Sequence, residues 1–189
     1  MSKNDKKIRR ICLFGGAACG KSITATNIRA ELGFHGYDIE LVDEVIKDWT
    51  YIPRSSVGSD SLFLQASQIQ KEDIRLRAGV DLIVTDSPAA LQYFYAWYHK
   101  DHFRAGMYLN AMEWDKRYPS LNIFIDREDK FYNETGRYEK LDEAKQIDAL
   151  IKRTLKTCKI EFTSFSCLDQ DGIINYIIEE VEKNAEEDK

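Results

Sequence analysis

The chain has 189 residues, 32 acidic and 27 basic, for a net charge of −5, with 43% of its residues hydrophobic. That length suits one domain, residues 1–189, able to bury a proper core without staples, and the acid excess argues against gripping duplex nucleic acid by charge alone. No apolar run reaches the about 18 residues a membrane span needs, and residues 1–7 (MSKNDKK) lack the apolar centre of a signal peptide, so a soluble, cytoplasmic protein is expected.

In chain order, residues 8–14 (IRRICLF) supply the β-branched and apolar side chains of a short buried strand. Gly15, Gly16, Ala17, Ala18, Cys19, Gly20, Lys21 and Ser22 follow and read G-x-x-x-x-G-K-S, the cradle for a triphosphate. Glycines let the backbone turn several N–H groups toward one anion, and the next helix adds its positive end. Lys21 is expected to reach the β- and γ-phosphates, Ser22 to join the shell of a Mg²⁺ brought with the nucleotide, and Ile23 to complete the binding segment. Apolar residues at helical spacing over 22–32 predict that helix, with Gly33 expected to stop it. The four cysteines, Cys12, Cys19, Cys158 and Cys167, form no C-x-x-C pair, so neither a zinc site nor a disulfide frame is suggested. Cys12 reads as a small buried hydrophobe, whereas Cys19, near a helix N-terminus, could have a lowered pKa and thiol reactivity, the plain alternative being simple loop filler.

A glycine turn at 33–37 leads to a strand at 39–42 that ends in Asp43 and Glu44. Ligands of open α/β sheets gather at the carboxyl ends of strands, where a carboxylate can take the proton of an attacking hydroxyl. Adjacent strand residues face opposite ways, so one of the two is expected in the site. Residues 45–60 read as a loop whose Arg54 suits an anionic group of a second substrate. A helix is expected over 61–79. Among its Gln65, Gln68 and Gln70, paired donors and acceptors suit a base edge or amide, and Gln68 is the candidate substrate contact, with solvated surface as the plain alternative. Arg75 and Arg77 read as surface. The apolar strand at 82–84 has the pattern of one covered on both faces, and it ends in Asp86, placed to hold the metal beside Ser22.

Residues 89–98 (AALQYFYAWY) are aromatic at helical spacing and read as core. His35, His99 and His102 have no ligand spacing. A helix over 103–116 and a strand over 121–125 precede a polar segment, 126–140, in which Arg127 and Arg137 are candidate lid arginines, the alternative being a solvated connector. An amphipathic helix at 141–158, a strand at 160–167, a loop at 168–172 and a closing helix at 173–182 complete the chain. Alternating strands and helices give a three-layer α/β/α sandwich on a five-stranded parallel sheet.

On the loop at 15–22, Glu44, Thr85-Asp86-Ser87 and the 127–137 segment, the chain resembles the P-loop nucleoside and nucleotide kinases over most of its length, among them ribosylnicotinamide-kinase-like proteins and small phage-type ATPase/kinase relatives. The resemblance implies strand order 2-3-1-4-5, Glu44 as acceptor contact or base, and an adenine packed on residues 168–172. Thymidylate and deoxynucleoside kinases carry an arginine after the third-strand acid, where this chain has Ser87. The expectation is an ATP- and Mg²⁺-dependent kinase with Lys21, Glu44, Asp86, Arg127 and Arg137 as its catalytic set. Its acceptor would be a small nucleoside or nucleotide. The alternatives are a kinase acting on a modified base or end in DNA, through a local basic groove, and a nucleotide-hydrolysing switch. Sequence leaves the oligomeric state open.

Overall fold

A computed structural model describes residues 7–52, 56–132 and 138–187. Five strands, β1 (Arg10–Phe14), β2 (Ile39–Val42), β3 (Leu82–Thr85), β4 (Ser120–Asp126) and β5 (Thr163–Ser166), form one sheet in the order β2-β3-β1-β4-β5. Every neighbouring pair is parallel. Among the described residues, six α-helices cover it: α1 (Lys21–Phe34), α2 (Asp60–Ala78), α3 (Ala89–Tyr98), α4 (Arg104–Arg117), α5 (Leu141–Thr157) and α6 (Gln170–Glu187). Both the α/β class and the strand order match the expectation.

The strand period of two assigns each central side chain to one face. Ile11 and Leu13 of β1 pack with Ala25, Ile28 and Leu32 of α1 and with Ile173 and Ile177 of α6. Cys12 and Phe14, pointing oppositely, pack with Phe94 of α3, Met107 of α4 and Ile147, Ile151 and Leu155 of α5. Cutting back any of these enclosed aliphatic chains to alanine costs about 2–5 kcal/mol, because the void is only partly refilled. All of β1 and β3 is buried, as continuous apolar runs in a parallel sheet require.

Helix ends explain the shifts from the expected boundaries. Gly33 does not stop α1, which runs on to Phe34; the chain turns at Gly36, φ 90°, where its N–H donates to the Gly33 carbonyl and that of Tyr37 to the Leu32 carbonyl. A left-handed residue past the last turn is what ends a helix, and Gly33, with open space around it, merely costs some propensity. α2 ends the same way at Gly79, φ 95°. α5 begins where the Lys140 N–H donates to the Glu143 carboxylate at 2.9 Å. Within the expected loop at 45–60, Val45–Tyr51 forms a 3₁₀ turn. Among the described residues, no helix is long and apolar enough to cross a membrane.

Candidate functional site

β1 delivers the chain into residues 15–20 at the carboxyl end of the sheet, and the backbone there demands its sequence. Gly15 sits at φ 142° and Gly20 at φ 101°. A Cβ at Gly15 would come within 2.5 Å of Cys19 Sγ, and one at Gly20 within 2.9 Å of Cys167 Cβ. Ala18 also takes positive φ, 56°, an uncommon state for an alanine that the surrounding structure must enforce. α1 starts at Lys21, so its free N–H groups and dipole open onto this loop.

Lys21 is buried, and its Nζ donates to the Gly15 and Gly16 carbonyls at 2.9 Å each. Burial alone would lower its pKa, but Cys19 and the carboxylates of Asp86, Glu44 and Asp148 outweigh it and hold the ammonium above the ordinary lysine value. Ser22 Oγ donates to Asp86 Oδ2 at 2.6 Å. Asp86 Oδ1 is buried without a hydrogen-bond partner, and the Asp86 N–H is fixed to the Val42 carbonyl of β2 at 3.1 Å. A hydroxyl beside a carboxylate with an unused oxygen fits a hard, oxygen-seeking cation such as Mg²⁺. An annex of about 210 Å³, lined by Ser22, Asp43, Glu44, Asp48 and Asp86 among others, gives it room.

The main cavity measures about 1590 Å³. One part runs along residues 17–23, the face of α1 that carries Asn27, and Leu168, Gln170 and Asn175 at the start of α6. Gln170, expected in the loop, is instead the first residue of α6, where its Nε2 donates to Thr24 Oγ1 and the Cys167 carbonyl. The other part passes Glu44 and Lys47 to Ser61 and Leu64 of α2, Gln92, Tyr95 and His99 of α3, and Tyr138 and Glu139. Of the neighbouring acids, Glu44 lines this cavity, while Asp43, 70% exposed, pairs with Lys71 at 3.1 Å.

Several candidates sit elsewhere than expected. Gln68 is fully buried and gives its Nε2 to Thr85 Oγ1 at 3.2 Å, beneath the site and outside the cavity lining; Gln65 ties the Ala89 and Met107 carbonyls together inside the core. Arg127 is enclosed under the phosphate loop, ion-paired to Asp148. Its Nη1 donates to the Ala17 carbonyl at 3.0 Å. Arg54 and Arg137 lie outside the described residues. Of the two readings of Cys19, the structure goes against the reactive one: the thiol is buried, and burial pushes its pKa up despite Lys21 nearby. All four cysteines are free, and among the described residues no cluster of His, Cys, Asp and Glu forms a ready-made metal site.

Two contributions escaped the sequence. α3 is only half core: Tyr93 and Phe94 are buried in it, but Gln92, Tyr95, Ala96 and His99 form a wall of the cavity. Their spacing of three, four and seven was the available signal, since it marks one helix face. Burial, reinforced by the negative Glu139 and Glu44, pushes the Tyr95 phenol well above its usual pKa, so it stays a neutral hydroxyl. Asp148, on α5, accepts the Gly16 N–H at 2.6 Å, and nothing local announces that an acid 132 positions away touches the loop.

A glycine loop running from a strand into a helix, with a lysine over its carbonyls and an acid beside its serine, defines a P-loop protein that binds a nucleotide. A family model described as AAA domain matches residues 10–167, from β1 just past β5, and the chain belongs to that family. No curated protein matches the chain.

Proposed function

We propose that the protein transfers the γ-phosphoryl group of ATP to a small nucleoside or nucleotide, with Mg²⁺. The supporting observation is the cavity: at about 1590 Å³ it exceeds the roughly 300–1,000 Å³ of a site for one ligand. It also continues from the phosphate loop past Glu44 to a second wall of polar and aromatic side chains. Hydrolysis needs room only for water, whereas transfer needs room for an acceptor.

In this arrangement the loop amides and Lys21 cradle the β- and γ-phosphates, Lys21 leaving the Gly15 and Gly16 carbonyls to do so. Ser22 and Asp86 would hold the Mg²⁺, which neutralises phosphate charge when bound. Glu44, which lines the cavity and acts electrostatically on both Lys21 and Tyr95, takes the proton as the acceptor oxygen bonds to phosphorus and the bond to the ADP oxygen breaks. Gln92, Tyr95 and Glu139 orient the acceptor. Arg54 and Arg137 remain candidates to meet its anionic groups or the transferring phosphate.

The test incubates the protein with Mg·ATP and a panel of nucleosides, nucleoside monophosphates and single-stranded oligonucleotides, read by mass spectrometry. A gain of one phosphate by a nucleoside or monophosphate is expected. Phosphate appearing only on an oligonucleotide would make it a nucleic-acid kinase, and phosphate gained by water alone would make it a hydrolase.

A further inference from the structure

The phosphate loop is braced from behind by a charged pair for which phosphoryl transfer has no direct use. Asp148 accepts the Gly16 N–H on Oδ1 at 2.6 Å and pairs through Oδ2 with Nε of Arg127. Arg127 in turn donates through Nη1 to the Ala17 carbonyl at 3.0 Å and through Nη2 to the Ala144 carbonyl of α5 at 3.4 Å. The two side chains are 7% and 16% exposed for Arg127 and Asp148 respectively. One N–H and one C=O of consecutive loop residues are thus held by an ion pair carried on two other parts of the fold.

The fit leaves no slack. A Cβ at Gly16 would stand 2.8 Å from Asp148 Oδ1 and 3.0 Å from Arg127 Nη2, so glycine here serves the brace and not a special backbone angle. The next residue but one, Ala18, is the alanine at φ 56°, a conformation that persists only where its surroundings enforce it. A carboxylate this close to an anion-binding loop is tolerable because a guanidinium neutralises it; alone, it would repel the phosphates the loop is shaped to receive.

We infer that Asp148 is a positioning residue for the triphosphate tail, acting through Gly16 and Arg127 without touching the nucleotide. This goes beyond phosphoryl transfer, since it holds for any reaction of a bound triphosphate and needs only that the loop bind one.

The experiment is equilibrium binding of Mg·ATP and, by competition, of adenosine, to the wild type, D148N, R127Q and the double variant, with melting temperatures alongside. Asparagine keeps an oxygen for Gly16 but removes the charge that orients Arg127. D148N is expected to weaken Mg·ATP about tenfold, the scale of one charge-assisted hydrogen bond, while adenosine affinity holds within about twofold. R127Q strands the Asp148 charge beside the loop and should weaken Mg·ATP more than D148N does, so the double variant should bind Mg·ATP better than R127Q.

 That ordering, with R127Q the weakest binder and partly rescued by also replacing Asp148, is one that a general loss of folding would not produce. Unchanged Mg·ATP affinity in D148N, an equal fall in adenosine affinity, or strictly additive losses in the double variant would overturn the inference. Should D148N fail to fold, R127K takes its place: it keeps the charge and loses the fork to Ala17, and the same selective loss is expected, with equal affinity overturning it. A wild type that binds no Mg·ATP would overturn the nucleotide assignment itself, an outcome the first titration separates from failure of the brace.

Discussion

Both ends of the parallel sheet carry buried charge, and they treat it in opposite ways. Where β1 begins, Arg10 is fully enclosed and pairs with Glu72 and Asp115 at 2.8 Å each; it also donates to the Tyr118 carbonyl, while Trp114 Nε1 donates to Glu72 at 2.8 Å. Arg10 Nη2 and Glu72 Oε1 lack partners, but each ion faces an opposite charge supplied by the chain. Where β3 ends, Asp86 rests on a neutral hydroxyl and keeps one buried oxygen unused. A charge ion-paired and hydrogen-bonded to an opposite charge of the chain holds structure together; a carboxylate hydrogen-bonded only to a hydroxyl, with Lys21 acting on it without a direct bond, is set aside for a ligand.

That contrast breaks if the two ends respond alike to substitution. Lys21→Ala should lower turnover about 10²–10³-fold while the melting temperature changes little, since its carbonyl contacts are replaceable by water. Steady-state kinetics with a melting curve decide this, and near-normal turnover would remove the phosphate loop from the chemistry. At the other end, Glu72→Ala leaves Arg10 facing only the partly exposed Asp115 and should cost about 3–5 kcal/mol in urea unfolding, with nucleotide affinity of the folded protein unchanged. Asp86→Asn should do the converse: unfolding free energy stays the same or rises, and the gain in ATP affinity on adding Mg²⁺ disappears. A large loss of stability in that variant would make Asp86 structural.

Alkaline pH sharpens the comparison further. Burial, more than its neighbours, pushes the Cys12 thiol from 9.0 up to about 12. The folded protein therefore holds that proton where the unfolded chain releases it. The resulting stability is complete below about pH 9 and is lost as pH rises from there toward 12, at about 1.4 kcal/mol per pH unit. Urea midpoints between pH 8 and 11 should fall more steeply in the wild type than in Cys12→Ala; parallel curves would contradict it. The smallest effect concerns thiol labelling at neutral pH: Cys19 should stay unreactive, and Cys167, which lines the cavity against Gly20, should react more slowly once nucleotide is bound.

The phosphate loop and the acid-ended strand before Asp86 were legible because their pattern is local, whereas the strand order was implied only by the resemblance to P-loop kinases. Glycines at positive φ, a lysine and a serine lie within eight consecutive positions, and an apolar strand ending in an acid needs no distant partner to be recognised. Arg10 was read as part of an apolar strand and Arg127 as a lid residue because the acids that claim them, Glu72 and Asp148, arrive from 62 and 21 positions away. Gln68 offers the same hydrogen-bonding groups in the core or at a substrate, and only the packing of α2 on β3 places it under Thr85. Gly33 misled for a related reason: a glycine is tolerated within a helix, and the stop was set by Gly36 three residues on.

The most direct measurement is a crystal structure with magnesium and a non-hydrolysable ATP analogue. The expected result has the metal on Ser22 Oγ and Asp86 Oδ1, and the γ-phosphate held by Lys21 on the side of the cavity that Glu44 and Tyr95 line. A metal held without Asp86, or a γ-phosphate turned away from Glu44, would contradict it.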